Sequence, residues 1–109
     1  MEFSVLSNNL KMPMMGFGVF QVTDKDVCKQ SVLNAIRTGY RLIDTAAVYG
    51  NEDAVGEAVR EAISEGLCTR EELFITSKLW VQDMLNQDIA AAGIEASLKK
   101  SGLEYFDLY

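Results

Sequence analysis

The feature that most constrains the fold is a unit of helix, glycine and strand that occurs three times. Helical patterns are predicted at 24–37, 52–64 and 84–101. Each is followed by a glycine that tolerates the left-handed C-cap conformation, at Gly39, Gly66 and Gly102. Apolar strands are predicted next, at 41–45, 73–80 and 105–109. Helices that alternate with apolar strands indicate an α/β protein with a parallel sheet covered by helices.

The predicted helices also have capping residues and apolar faces. Asp24 and Asn51 precede the first two helices and are predicted N-caps, because a short polar side chain accepts a hydrogen bond from an unpaired amide. One face of the first helix is apolar and is formed by Cys28, Val32, Ala35 and Ile36. Cys28 is therefore predicted to lie in the core, whereas Cys68 lies in a predicted loop, which allows it to be exposed.

The beginning of the chain departs from the repeat. A hairpin is predicted over 3–14, with its turn at 7–9, and a strand follows over 15–20. Pro13 is compatible only with an edge or an end of a strand. Gly16 and Gly18 weaken the following strand and indicate that another group approaches its backbone. Residues 1–109 are interpreted as a single domain.

Candidate functional residues fall where the predicted strands end. In parallel sheets covered by helices, ligands bind and react at the carboxyl ends of the strands. Asp44 lies near the end of one strand, Tyr49 lies in the loop after it, and Lys78 lies near the end of the next. The first strand ends at Gly18, Val19 and Phe20. We therefore expect all of these residues to face one rim.

Asp44 and Lys78 are opposite charges inside apolar strands. Burial of either charge alone would cost several kcal/mol, so a partner is expected. On neighbouring parallel strands the two can pair at the shared rim. One interpretation is a structural ion pair that closes the strand ends, and the other is a pair that serves a reactive group nearby.

Tyr49 is the candidate for that reactive group. A free phenol has a pKa of about 10, and a nearby ammonium lowers it. Such a phenol suits proton donation to a carbonyl oxygen while a cofactor supplies hydride. Phe20, Val48 and Trp80 would line the rim with apolar surface that excludes water. The alternatives are a half-buried aromatic without a chemical role for Tyr49, and a cover over the barrel end for Trp80.

Composition and motifs argue against other classes of protein. The net charge of −6 disfavours nucleic-acid binding, which needs a basic face. No apolar run reaches the ~18 residues of a membrane span, and no signal peptide is recognised. Zero histidines and two distant cysteines, expected to be reduced, predict no metal site. Gly16 and Gly18 lack the third glycine of a dinucleotide fingerprint.

Three segments resemble the N-terminal part of the aldo-keto reductase family. They are "MPMMGFGVFQ", "GYRLIDTAAVYGNEDAVGEAV" and "REELFITSKLW". The specific part is an Asp in "IDTA", a Tyr five residues later and a Lys in "ITSKLW". The resemblance covers nearly all of the chain. It implies the N-terminal half of a (β/α)8 TIM barrel, with a β-hairpin followed by four of the eight strands and three helices.

The resemblance also implies an activity and its residues. Members of the family reduce aldehydes or ketones with NADPH or, less often, NADH. By this resemblance Tyr49 is the proton donor, Lys78 activates its phenol, and Asp44 pairs with Lys78 beside the cofactor ribose and nicotinamide. The cofactor-contacting segment, where many members have threonine and tryptophan, corresponds to Gly18, Val19 and Phe20. The substrate-pocket positions correspond to Phe20, Val48, Tyr49 and Trp80.

The chain departs from the family pattern because it has no histidine. The family's fourth catalytic residue is a histidine soon after the fourth strand, in a stretch that begins like the "DLY" at 107–109. The site for the 2′-phosphate and adenine of the cofactor lies in the other half of the barrel. A complete barrel takes about 250 residues. The chain is therefore interpreted as a fragment, with little activity of its own, of a monomeric cytoplasmic reductase that binds a small carbonyl substrate.

The alternative is that these residues form a non-catalytic half-barrel. Such a binding or structural module would have two exposed parallel strand edges. Exposed edges favour pairing with another chain. We then expect self-association, for example a dimer.

Overall fold

The computed structural model describes all of residues 1–109, and the chain opens with a β-hairpin. Strand β1 (Phe3–Val5) pairs antiparallel with strand β2 (Lys11–Pro13). The amide of Leu6 donates to the carbonyl of Leu10 at 2.9 Å and closes the turn. Pro13 ends β2, a position that tolerates its missing amide hydrogen. The predicted hairpin is confirmed.

Three short parallel strands form the sheet that carries the candidate site. In order across the sheet they are β3 (Gly16–Gly18), β4 (Leu42–Asp44) and β5 (Phe74–Thr76). Their register places Gly18 opposite Asp44, and Asp44 opposite Thr76. The carboxyl ends of the strands therefore lie together at one edge of the sheet, as predicted.

All three strands are shorter than predicted, and the difference is largest for β3 and β5. β3 ends at Gly18, because the backbone turns between Val19 and Val22, where amide and carbonyl are bonded at 3.1 Å. β5 ends at Thr76, and the chain soon enters a 3-10 helix at Val81–Met84. Both segments leave the sheet early, so Phe20 and Lys78 lie beyond the strand ends rather than within the strands.

The fourth predicted strand, at 105–109, is present only as one parallel bridge between Thr76 and Leu108. Arg70 holds this segment in place, because its guanidinium pairs with the carboxylate of Asp107 at 2.9 Å. The same guanidinium lies over the ring of Tyr105, 4.0 Å from its centroid. The segment thus follows the expected strand order without a regular ladder.

The three helices lie close to their predicted positions. They are α1 (Lys25–Thr38), α2 (Glu52–Ser64) and α3 (Gln87–Ser101). The glycines expected after them have positive φ angles of 117°, 75° and 71°, as predicted for Gly39, Gly66 and Gly102. None of the helices combines the length and apolar character needed to cross a membrane.

One predicted N-cap is confirmed and the other is wrong. The carboxylate of Asp24 accepts a hydrogen bond from the amide of Val27 at 3.0 Å, as an N-cap does. The side chain of Asn51 makes no capping hydrogen bond to α2. It is buried and bonds to neighbouring loops instead, because its amide donates to the carbonyls of Val19 and Val22.

The hydrophobic core lies between the sheet and helices α1 and α2. Its fully buried side chains include Val32, Leu33, Ile43, Val55, Val59 and Ile75. Cys28 belongs to this core, as predicted. Cys68 is also buried, at 7% exposure, so the loop that carries it packs against the core instead of exposing the thiol. Burial raises the pKa of both thiols above the ordinary value.

Helices α2 and α3 touch through a glycine. A Cβ atom on Gly56 would collide with the backbone carbonyl of Ser101. The guanidinium of Arg60 donates to that same carbonyl, which lies at the end of α3. The missing side chain of Gly56 therefore sets how closely α3 approaches the start of α2.

We expect Gly56→Ala to destabilise the protein although alanine is the better helix former. The added methyl would push backbone against backbone, and overpacking of this kind costs about 1–3 kcal/mol. Gly93→Ala in α3 is the matched control, because its new Cβ would crowd only the movable end of the Leu79 side chain and would meet Asp83 at ordinary contact distance. Urea denaturation followed by circular dichroism measures both. Equal free energies of unfolding for the two variants would contradict the role of Gly56.

Candidate active site

The carboxylate of Asp44 and the ammonium of Lys78 form an ion pair at the rim of the sheet. Nζ of Lys78 lies 2.8 Å from each carboxylate oxygen of Asp44. It also donates to the carbonyl of Thr45 at 3.0 Å. Thr76, opposite Asp44 in the register, donates its hydroxyl to Oδ1. The predicted pairing is confirmed, and Thr76 is a partner that the sequence reasoning missed.

The pair is more exposed than its position near apolar strands suggested. The side chains of Asp44 and Lys78 are 34% and 51% exposed. Ion pairs in contact with water contribute little to stability, since water screens them and two side chains lose freedom. A purely structural role is therefore a weak explanation of this pair.

Tyr49 lies beside this pair and is held there by a backbone contact. It ends a short 3-10 helix, Ala47–Tyr49, whose first amide donates to the carbonyl of Lys78 at 3.1 Å. Nζ of Lys78 lies 5.2 Å from the centroid of the Tyr49 ring, within cation–π range. The three hydrogen bonds of the ammonium go to Asp44 and Thr45. The hydroxyl of Tyr49 accepts none of them.

Apolar side chains flank Tyr49 on the open side of the rim. The rings of Phe20 and Tyr49 are 5.2 Å apart at a tilt of 52°. Phe20, Val48 and Trp80 are 64%, 54% and 41% exposed, which is high for large apolar residues. Trp80 makes no aromatic contact with either ring. The structure thus brings Phe20 to Tyr49, whereas Trp80 pairs with neither ring.

The remaining segment, Gly18 and Val19, divides between the rim and the core. Gly18 is exposed, and a Cβ atom on it would meet no atom within 4 Å. The side chain of Val19 is fully buried, and its amide donates to the carbonyl of Asp44 at 3.2 Å. Gly18 and Phe20 therefore present surface to the rim, whereas Val19 packs into the core.

Asn51 is a second residue whose role the sequence reasoning missed. Its side-chain amide donates to the carbonyls of Val19 and Val22 at 3.0 and 3.1 Å. Its oxygen accepts from the hydroxyl of Thr45 at 2.7 Å. Asn51 thus ties the loop that carries Phe20 to the end of β4. Its position before a helix also fits an N-cap, so the local sequence held no signal that separates the two roles.

Two clefts of the molecule lie away from this rim. One, of about 470 Å³, lies near the hairpin and is lined by Met1, Glu2, Met14, Met15, Thr38, Gly39 and Tyr40. The chemistry of the charged pair and Tyr49, rather than cavity size, marks the rim as the candidate site.

Comparisons with known proteins agree on one family. A family model described as aldo/keto reductase matches residues 14–109. The Bacillus subtilis protein YtbE, described as an uncharacterized oxidoreductase, is 51% identical over 106 residues, which is 97% of this chain and 38% of YtbE. The NADPH-dependent aldose reductase GRE3 of Saccharomyces cerevisiae is 46% identical over 104 residues, which is 95% of this chain and 31% of GRE3.

A solved structure also matches. The crystal structure of the Bombyx mori aldo-keto reductase AKR2E4 in complex with NADP superimposes with a TM-score of 0.92 and 43% identity. The match covers 99% of this chain and 36% of that one. The chain thus spans about a third of the length of the relatives it matches.

We expect the ion pair to contribute little to stability. Asp44→Asn keeps the acceptor for Thr76, and Lys78→Met keeps most of the side-chain stem. Each should change the free energy of unfolding by less than about 1 kcal/mol. Urea denaturation of the purified protein measures the change.

The less exposed pair of Arg70 and Asp107 provides the comparison. These side chains are only 16% and 17% exposed, so Arg70→Met should cost more than either rim variant. A loss of about 3 kcal/mol or more in Asp44→Asn or Lys78→Met would instead support the structural interpretation of the rim pair.

Proposed function

We propose, from the premise that this chain belongs to the aldo/keto reductase family and forms part of its (β/α)8 barrel, that the protein reduces aldehydes or ketones to alcohols. The observation that carries the proposal is the pair of Asp44 and Lys78 at the strand rim, with Tyr49 directly beside the ammonium. These residue types suit proton donation and offer no strong nucleophile.

We propose NADPH as the cofactor, with NADH as the less frequent option. GRE3 is described as NADPH-dependent, and AKR2E4 is described in complex with NADP. The residues present fit such a group. The partly exposed carboxylate of Asp44 can accept hydrogen bonds from ribose hydroxyls, and the open space above Gly18 admits a flat ring. When bound, the reduced nicotinamide supplies a hydride to the carbonyl carbon.

Tyr49 supplies the proton in this proposal. As the carbonyl carbon accepts hydride, negative charge develops on its oxygen, and the hydroxyl of Tyr49 donates its proton there to complete the alcohol. The phenolate left behind is stabilised by the ammonium of Lys78 and regains a proton from water. Asp44 holds that ammonium in place through two hydrogen bonds of 2.8 Å.

The apolar residues of the rim favour a small carbonyl substrate. Phe20 packs against Tyr49, and Val48 is exposed next to it, so a substrate carbon chain would cover apolar surface. Exclusion of water there strengthens the interaction between Tyr49 and Lys78. Trp80 would bound the same surface on the side of β5.

A second candidate function is a module that self-associates through strand edges. β3 pairs only with β4, so its other edge is free, whereas the outer edge of β5 is bonded to Asp107 and Leu108. A free edge promotes pairing with another chain. We favour the reductase, because self-association through strand edges does not explain why a charged pair lies beside the phenol of Tyr49.

We expect Tyr49→Phe to abolish carbonyl reduction in the full-length protein. Loss of a positioned proton donor costs about 10²–10⁴-fold in kcat. NADPH oxidation with a panel of small aldehydes, followed by absorbance, measures it. NADPH binding, followed by fluorescence, should persist.

Tyr40→Phe is the matched control for that experiment. Tyr40 packs on Phe17, and it lies just before β4, at the opposite end of that strand from the site. Its variant should keep full activity. Full activity in Tyr49→Phe would exclude Tyr49 as the donor.

We also expect the 109 residues, produced alone, to show little reductase activity. They span only 31–38% of the relatives YtbE and GRE3 and leave the outer edge of β3 free. Light scattering after size exclusion should show self-association. Turnover equal to that of a full-length protein would refute this expectation.

A further inference from the structure

Glu52 is a buried carboxylate that has no role in the proposed mechanism. It is the first residue of α2, and its side chain is 2% exposed. Six ion pairs join side chains of this protein, and none of them includes Glu52. Burial of a charge without an ionic partner is costly, so its surroundings must compensate.

Two buried hydroxyls bond to this carboxylate, one to each oxygen. Ser77 donates to Oε2 at 2.7 Å, and Ser97 donates to Oε1 at 3.0 Å. The hydroxyl of Ser97 has one proton, and it donates that proton to Glu52. The hydroxyl of Tyr109 is therefore the donor in its hydrogen bond of 2.7 Å with Ser97. The first turn of α2 adds a favourable field, because amides at a helix N-terminus attract negative charge.

The two serines differ in what lies next to them. Ser77 directly precedes Lys78, and its amide donates to the carbonyl of Leu108 at 3.1 Å. Ser97 lies inside α3, and no candidate site residue adjoins it. Glu52 itself follows Tyr49 by three residues. The bond from Ser77 to Glu52 therefore joins the segment with Tyr49 to the segment with Lys78.

A carboxylate is not required to fill this space. Even a buried ion pair can often be replaced by apolar residues of similar volume without loss of stability, so burial of a charge is weak evidence for a stabilising role. Charge-assisted hydrogen bonds are also shorter and stronger than neutral ones. The choice of glutamate is thus better explained by a demand for fixed geometry than by stability.

We propose that Glu52, acting through Ser77, is a positioning residue that holds Lys78 in place between Asp44 and Tyr49. Glu52 touches none of the reacting groups. Its catalytic consequence rests on the function proposed above, whereas its effect on the geometry of Lys78 does not.

Ser77→Ala and Ser97→Ala form a matched pair for the test. Each removes one buried hydroxyl, 3% or 2% exposed, from the same carboxylate. Ser97→Ala also removes the acceptor for the hydroxyl of Tyr109, so it should lower the urea midpoint at least as much as Ser77→Ala does. Only Ser77→Ala should lower kcat of the full-length protein, by about tenfold, which corresponds to one charge-assisted hydrogen bond.

Three further readouts separate positioning from general destabilisation. The KM for NADPH should change less than about twofold in Ser77→Ala, because proton donation rather than binding is affected. Ser77→Thr should restore kcat, since it keeps the hydroxyl. In a Glu52→Gln background, Ser77→Ala should have little further effect, because the two residues act as a unit.

Nuclear magnetic resonance of Lys78 provides a readout that needs no activity. In lysine-labelled protein, the side-chain signal of Lys78 is assigned by its loss in Lys78→Arg. The chemical shift of this signal should change in Ser77→Ala and remain unchanged in Ser97→Ala. If the signals behave so but wild-type protein reduces no carbonyl compound, the proposed function fails and the positioning role stands. If wild-type protein is active and Ser77→Ala changes neither kcat nor the signal, the positioning role is refuted.

Discussion

One ammonium group joins the parts of the chain that the candidate site needs. Nζ of Lys78 bonds both oxygens of Asp44 and the carbonyl of Thr45, so it ties the region beyond β5 to the end of β4. Tyr49 lies beside it because the backbone of its 3-10 helix bonds the carbonyl of Lys78. Parallel register makes this possible, since it puts the ends of neighbouring strands at one edge of the sheet.

Buried polar groups at the start of α2 hold the same edge together from below. Asn51 bonds the loop after β3 and the hydroxyl of Thr45, while Glu52 bonds Ser77 and Ser97. No buried side-chain nitrogen or oxygen atom is left without a partner. A fully satisfied polar network of this kind specifies one geometry, because any shift leaves a group unpaired at a cost.

The architecture and most of the candidate site were predictable from sequence. The helix, glycine and strand repeat predicts the parallel sheet, and charges within apolar strands predict the pair of Asp44 and Lys78. The predictions that were wrong share a cause. In each case a residue or segment contacts distant parts of the chain instead of its neighbours in sequence. Asn51 has the position of an N-cap but bonds other loops, Cys68 lies in a loop yet is buried, and the segment 105–109 forms one bridge.

The sequence by itself determined the periodicity of the helices, the order of the strands and the residue types at the rim, because these depend on local pattern. Family membership follows from the same residues, at 51% identity to YtbE. Only the tertiary structure decided that Lys78 lies over the ring of Tyr49 without a bond to its hydroxyl. It also decided that Glu52 is buried between two serines. Such contacts join residues 25 to 45 positions apart, and no local pattern records which distant partner a side chain finds.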